Sequence, residues 1–173
     1  FYYPEQGADP HPTGSNSTAF DCEAIVVMNN TIHLFTKDWT SVGSGYESSE
    51  YLLPNNAHPE NSKYPAQFLT RHKNLGFLVT GADRWNSEYV ILLGYQYEAM
   101  GAICIRLFSD FINDDLSTGK NDAFVIGSAL NLGQVEAVCF GNSPGEGYIT
   151  NEEFNYNNVS YPAQLKSVQL MGE

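Results

Sequence analysis

The feature that most constrains this chain is a strand pattern that nearly repeats. Asp21-Cys22-Glu23-Ala24-Ile25-Val26-Val27, a short Asn-rich break, and Thr31-Ile32-His33-Leu34-Phe35-Thr36-Lys37 make the first occurrence. Leu78-Val79-Thr80-Gly81-Ala82-Asp83, a polar break, and Tyr89-Val90-Ile91-Leu92-Leu93-Gly94-Tyr95 make the second. Gln134-Val135-Glu136-Ala137-Val138-Cys139-Phe140, a Gly/Ser/Pro break, and Tyr148-Ile149-Thr150-Asn151-Glu152 make the third. Glu23 to Thr80 spans 57 residues and Thr80 to Glu136 spans 56. A period of this size implies stacked or radially arranged copies of one unit.

Within each occurrence the signals are those of short strands joined by turns. Asn29-Asn30 between two apolar runs is a hairpin signal. Further strands are expected near 50–53 and 64–71, then 76–82, 89–95, 102–109 and 122–130, then 134–140, 147–152 and 163–170. No helical period is sustained over ten or more residues. The expected fold is all-β, a single β-propeller-type domain over 1–173. It would hold about three four-stranded antiparallel blades, near 20–72, 74–131 and 133–172. A β-sandwich is the alternative, but matched strand sequences favour radial repetition. Three blades do not close a ring, and open blades expose strand edges and apolar faces. The chain is therefore expected to belong to a larger ring of about five or six blades, or to be completed by a second copy. Phe1-Tyr2-Tyr3 reads as the last strand of a preceding blade, which favours the first of these.

Charge narrows the function. The chain carries 20 acidic and 8 basic residues, a formal net charge of −12. Nucleic acid is an unfavourable partner, because phosphate contacts need clustered Lys and Arg. An acidic surface attracts cations, but it also serves plain solubility, which is the stronger reading. No apolar run approaches the roughly 18 residues a membrane helix needs. Cys22, Cys104 and Cys139 each sit in an apolar strand and are expected as buried free thiols, without zinc spacing. The chain begins at Phe1 without Met and reads as processed or trimmed. Sequons at Asn16, Asn29 and Asn158 matter only in a eukaryotic secretory setting.

The motifs Asp21-Cys22-Glu23-Ala24 with Leu34-Phe35-Thr36-Lys37, Val79-Thr80-Gly81-Ala82-Asp83 with Leu92-Leu93-Gly94-Tyr95, and Val135-Glu136-Ala137 with Ile149-Thr150-Asn151-Glu152 carry a resemblance. The chain resembles the C-terminal blades of an uncharacterised family of secreted bacterial β-propellers, whose blades open on an acidic-x-Glu-Ala/Gly-aliphatic strand. More distantly it resembles esterase-like phytase and strictosidine-synthase-like propellers. The resemblance implies an extracellular or cell-envelope propeller. It covers most of residues 1–170 through short motifs, and the preceding blades of that family are lacking here.

The first strand of a blade lines a central channel, so the periodic acids there are candidate site residues. Glu23, Asp83, Glu136 and Glu152 are the candidate carboxylates, with Asp21 and Asn151 as helpers. Glu23, Asp83 and Glu136 are the candidate ligands of a calcium ion, which takes 6–8 oxygen ligands. A ring of carboxylates is costly without such compensation. The bland reading of these acids is stronger: they accept backbone N–H bonds from the next blade and fasten blade to blade. If Glu23 faces the channel, strand alternation puts Ile25 and Val27 on its side. No EF-hand loop or Gly-x-Ser-x-Gly elbow is present. His11 and His58 precede Pro in loops, and His33 sits mid-strand, packed. Trp39 and Trp85, with Tyr46, Tyr97 and Tyr156, are loop aromatics able to stack on sugars or anchor a protein. The expected function is a secreted or envelope module that binds a carbohydrate or protein ligand through one propeller face, with calcium as a candidate structural ion. The rival is a calcium-dependent hydrolase of the phytase-like or lactonase-like type, with channel carboxylates activating water.

Overall fold

The computed structural model describes residues 1–7, 14–54, 64–97, 101–156 and 159–170. His11, His58 and the sequon at Asn158 lie outside the described residues, as does the Tyr156 side chain. The chain is all-β, with three antiparallel sheets of four, four and three strands. The first sheet runs β1 (Asp21–Met28), β2 (Thr31–Lys37), β3 (Ser48–Pro54), β4 (Gln67–His72) in sequence order. The second runs β5 (Leu78–Trp85), β6 (Tyr89–Tyr95), β7 (Ala102–Ser109), β8 (Lys120–Ser128). The third contains β9 (Gln134–Phe140), β10 (Glu146–Glu152) and β13 (Gln164–Gln169), in the order β13-β10-β9. A separate hairpin, β11 (Phe154–Tyr156) with β12 (Val159–Tyr161), interrupts the path from β10 to β13. One turn of helix, α1 (Ala129–Leu132), stands where the end of a strand was expected.

Local chemistry explains the turns. Asn29 and Asn30 both take positive φ, 41° and 64°. That is the backbone a two-residue β1–β2 hairpin needs, and Asn tolerates it better than most residues. Asp38 and Asp115 each cap a short 3₁₀ turn by accepting a backbone N–H at 2.9 Å, from Thr40 and Ser117.

The sheets pack face to face through alternate residues. Ala24, Val26, Met28 and Phe35 of the first sheet meet Val79, Val90, Leu92 and Phe108 of the second. The other face of the second sheet, with Ile91, Leu93, Ile103 and Ile105, packs on Val135, Val138, Phe140 and Ile149 of the third. Leu92 and Leu93 are both fully buried because the second sheet is covered on both faces. Each contributes about 2–3 kcal/mol by burial. The first strand of each sheet lies beside that of the next, β1 against β5 and β5 against β9, and these three are called the inner strands.

The two outermost faces are different. Ile25 and Val27 on β1 are 55% and 51% exposed. The remainder of that face is covered by Tyr3 and Phe20 over Leu34, Tyr51 and Leu53. The far face of the third sheet leaves Leu165 69% exposed, with Ala137, Cys139 and Tyr148. Cys139 is thus exposed, contrary to the expectation of three buried thiols; Cys104 is buried and Cys22 half-buried, all free. Cys139 alternates with Val138 and Phe140, and they claim the packed face. No helix among the described residues is long and apolar enough to cross a membrane.

Candidate functional site

Three β-bulges organise one end of the inner strands. In β1, Cys22 pairs with Thr36 and Ala24 with Phe35, so Glu23 is the extra residue. In β5, Val79 pairs with Gly94 and Gly81 with Leu93, so Thr80 is extra. In β9, Val135 pairs with Asn151 and Ala137 with Thr150, so Glu136 is extra. A bulge residue leaves the ladder, and its side chain is re-aimed relative to strict alternation. Glu23 therefore does not simply share the side of Ile25 and Val27; the bulge breaks the alternation that the sequence suggested. Two positions before each bulge, the pairing strand contributes Lys37 opposite Asp21, Tyr95 opposite Leu78, and Glu152 opposite Gln134. Each inner hairpin thus contributes one bulge residue and one facing residue at the same end.

Lys37 is the centre of this set. Its ammonium lies 3.6 Å from Glu23 Oε1 and is only 5% exposed along its side chain. It also sits 4.8 Å from the Trp39 ring centroid and 5.1 Å from that of Tyr95, a cation–π arrangement on two sides. Burial alone would lower the lysine, but Tyr95, Glu23 and Glu136 more than offset it and hold it above its ordinary value. Glu23 is nevertheless raised, first by burial and then by Asp21 and Glu136, against the lowering effect of Lys37. Glu136 is raised by burial and Glu152, although Gln134 and Lys37 pull it down. Gln134 Nε2 donates to Glu136 Oε1 at 3.0 Å. A single ammonium is shared among several acids, so their carboxyls hold protons more readily than free ones.

Aromatic residues border this end. Trp39 Nε1 donates to Asp21 Oδ2 at 3.0 Å, which fixes the indole beside Lys37. Tyr97 meets Trp39 edge-on with centroids 5.4 Å apart and is 51% exposed. The buried Tyr46 hydroxyl accepts from the Tyr97 N–H at 3.2 Å, anchoring that loop. Thr80 is 1% exposed and its hydroxyl has no hydrogen-bond partner among the described residues.

The remaining candidates lie elsewhere. Asp83 stands three residues beyond the Thr80 bulge, about 10 Å along the strand at the usual rise. Its Oδ2 accepts the Phe140 N–H at 2.7 Å, tying β5 to β9. Its neighbour Arg84 donates to the Val27 carbonyl at 3.3 Å and lies 4.0 Å from Asp114. Trp85 packs on Phe140 at 6.1 Å in the core between the second and third sheets. Asp83, then, is the acid in the fastening geometry. Asn151 is buried, and its Nδ2 donates to the carbonyls of Glu152 and Pro162 at 2.8 and 3.0 Å. It braces the strand that carries Glu152.

Sequence reasoning passed over Lys37, Tyr95 and the network on Glu50. The one signal for Lys37 was a cation ending a strand among apolar residues in an acid-rich chain. Glu50 is fully buried, with His33 Nδ1 2.6 Å from one oxygen and His72 Nε2 2.7 Å from the other. Burial alone would raise its carboxyl; the hydrogen bonds and charge of both histidines outweigh that and hold it below the ordinary range. This network is enclosed beside Phe35 and Phe108 and offers no surface to a ligand. Among the described residues, no group of three or more His, Cys, Asp or Glu is arranged to hold a metal ion. Comparisons with protein-family models, with curated proteins and with solved structures find no match.

Proposed function

We propose that the three sheets are consecutive blades of a β-propeller whose bulged end binds a carbohydrate. The observation that carries this reading is the coincidence of three bulges, at Glu23, Thr80 and Glu136, on adjacent inner strands. Bulges spaced by the sequence period, in hairpins packed side by side, are what a radially repeated unit would give. The resemblance to secreted bacterial propellers fits this arrangement and suggests an extracellular or envelope setting. Carboxylates at Glu23, Glu136 and Glu152 can accept hydrogen bonds from sugar hydroxyls. Lys37 and the tyrosine hydroxyl of Tyr95 add donors, and Trp39 with Tyr97 adds an aromatic border for sugar rings.

Lys37 also bears on calcium. The ammonium supplies positive charge at Glu23 and Glu136, which is the part assigned to calcium on sequence grounds. Asp83, the third expected ligand, is committed to Phe140 instead. A calcium ion at Glu23 and Glu136 would have to displace the lysine. A hydrolase reading draws on the two half-buried carboxyls, both raised by burial, as a general acid would be. The binding reading stands first because Lys37 and Gln134 hold those groups in place.

Glycan-array screening followed by calorimetry tests it, with calcium and with chelator. Lys37→Met and Trp39→Ala should each weaken the best sugar at least tenfold while leaving the far-ultraviolet spectrum unchanged. Failure to bind any glycan, or affinity unchanged in both variants, refutes the site. Glycan turnover, abolished by Glu136→Gln, would replace binding with hydrolysis.

A further inference from the structure

The bulged end gathers more negative charge than its ammonium answers. Asp21, Glu23, Glu136 and Glu152 act on one another there, and Lys37 is the cation felt by both Glu23 and Glu136. Lys37 stays 3.6 Å from Glu23, an ion pair longer than a hydrogen bond. Its ammonium lies instead over the Trp39 and Tyr95 rings, 4.8 and 5.1 Å from their centroids. Asp21 is engaged by the Trp39 indole at 3.0 Å. Glu136 receives a neutral donor, the Gln134 amide, at 3.0 Å. Among the described residues, neither Glu136 nor Glu152 has a cation within ion-pair distance.

A second observation comes from the strand between the two glutamates. β5 runs between β1 and β9, and its bulge residue Thr80 belongs to neither packed face. Val79 packs with the first sheet, and a Cβ on Gly81 would come within 3.0 Å of the Ala137 Cα in the third. Thr80 is nevertheless buried, and its Oγ1 is unpaired among the described residues. An unsatisfied buried hydroxyl costs about 1–3 kcal/mol, which valine, of the same shape, would not incur. Exposure rises from Thr80 and Lys37 through the half-buried Glu23 and Glu136 to the exposed Glu152 and Tyr97. The carboxyls can therefore be reached from solvent, with the hydroxyl beneath them.

We propose that the sugar bound at the bulged end is an amino sugar, held by its protonated amine among Glu23, Thr80 and Glu136. The inference rests on the carbohydrate reading above and names the class of sugar. An ammonium has three donors and no acceptor, and each bulge residue offers it one acceptor. Glu136 is near enough for its charge to raise the Glu23 carboxyl, so one amine can serve both. Burial and neighbouring acids raise both carboxyls, and a second positive charge offsets both effects. Trp39 and Tyr97 then border the sugar ring. An N-acetylated sugar presents a neutral amide in the same place and forgoes the charge pairing.

Calorimetry in mildly acidic buffer, where the sugar amine is charged, compares glucosamine oligomers with N-acetylglucosamine oligomers of equal length. The free-amine series should bind at least tenfold tighter, the least that a hydrogen bond to a charged group gives. Glu136→Gln, which keeps the volume and one acceptor, should abolish most of that preference. Thr80→Val should weaken the free-amine series while its melting temperature holds or rises, a combination that a merely structural hydroxyl would not give. Spermidine, which carries ammonium groups and no ring, should bind at least tenfold more weakly than the amino sugar; parity overturns the assignment to a sugar. Equal affinity for the two oligomer series overturns the inference and leaves the carbohydrate site standing. Unchanged affinity in Thr80→Val overturns the placement of the amine. Affinity for no glycan of any kind removes the site and the inference together.

Discussion

Replacing Glu50 by alanine should be the most damaging single change among the polar residues. Glu50 is fully buried and receives a hydrogen bond from each of two histidines, at 2.6 and 2.7 Å. Hydrogen bonds to a charged group contribute about 1.5–3 kcal/mol each. Two of them give a gross value of about 3–6 kcal/mol, in line with the roughly 3–5 kcal/mol cost of breaking a buried ionic pair from one side. The variant also strands two imidazoles in an apolar setting. At about 2–4 °C per kcal/mol for a chain this size, the melting temperature should fall by about 6–20 °C. The pH dependence has a definite sign. Glu50 is held below its ordinary value when folded, so the folded chain binds fewer protons there than the unfolded one. Its stabilisation is fully present above the ordinary glutamate range of about 4.3 and is lost as pH falls through that value toward the lowered one. Urea melts from pH 7 to pH 3 should show a steep acid-side loss in the unmodified chain and a shallower one in Glu50→Ala. Glu50→Gln keeps the volume and one acceptor, so it should fall between the two. A loss under about 1 kcal/mol for Glu50→Ala, or an unaltered acid slope, would refute the reasoning.

Two further outcomes follow from the same geometry. Asp83→Ala should destabilise by about 1.5–3 kcal/mol, since it deletes the charged acceptor of the Phe140 N–H, whereas Asp83→Asn should retain much of that bond; denaturant melts decide, and equal losses in both variants would remove the fastening role. Glu136→Gln should stabilise the chain slightly at pH 7, by no more than about 1 kcal/mol after solvent screening. Its carboxyl is raised when folded, so its ionised form opposes folding above the ordinary glutamate range and ceases to do so as pH falls. Matched melts at pH 7 and pH 4 should show the gain only at the higher pH.

The strands were legible because alternation and turn chemistry are local. Asn29-Asn30 marked its hairpin, the apolar runs of β6 and β9 were placed to the residue, and that of β5 within three. The third sheet was less so: the hairpin of β11 and β12 intervenes, and only tertiary packing decides which strands join. Glu23 and Glu136 were found through their spacing, yet their environment was not. A bulge adds one residue without any composition of its own, so the faces computed by strict alternation slipped at Glu23. Asp83 was grouped with the site because it shares the strand of Thr80, and Trp85 because it was read as a loop aromatic; Trp85 in fact ends β5 and packs on Phe140, and three to five residues of extended chain carry both to a different end. Lys37 escaped notice because a lone cation on a strand end is ordinarily a solvated side chain; only the folded chain brings Trp39 and Tyr95 around it. The Glu50 network joins three strands, and nothing in the order of residues announces such a meeting.

The inner-strand bulges have an evolutionary consequence. Glu23, Thr80 and Glu136 occupy places where the backbone demands an extra residue but the ladder makes no demand on its side chain. Deleting one would leave a regular ladder in which the flanking residues keep their partners and faces, and only the re-aimed side chain would be lost. The bulge side chains differ, two glutamates and a threonine at equivalent positions. A new ligand preference could therefore arise at these three positions without renegotiating the core.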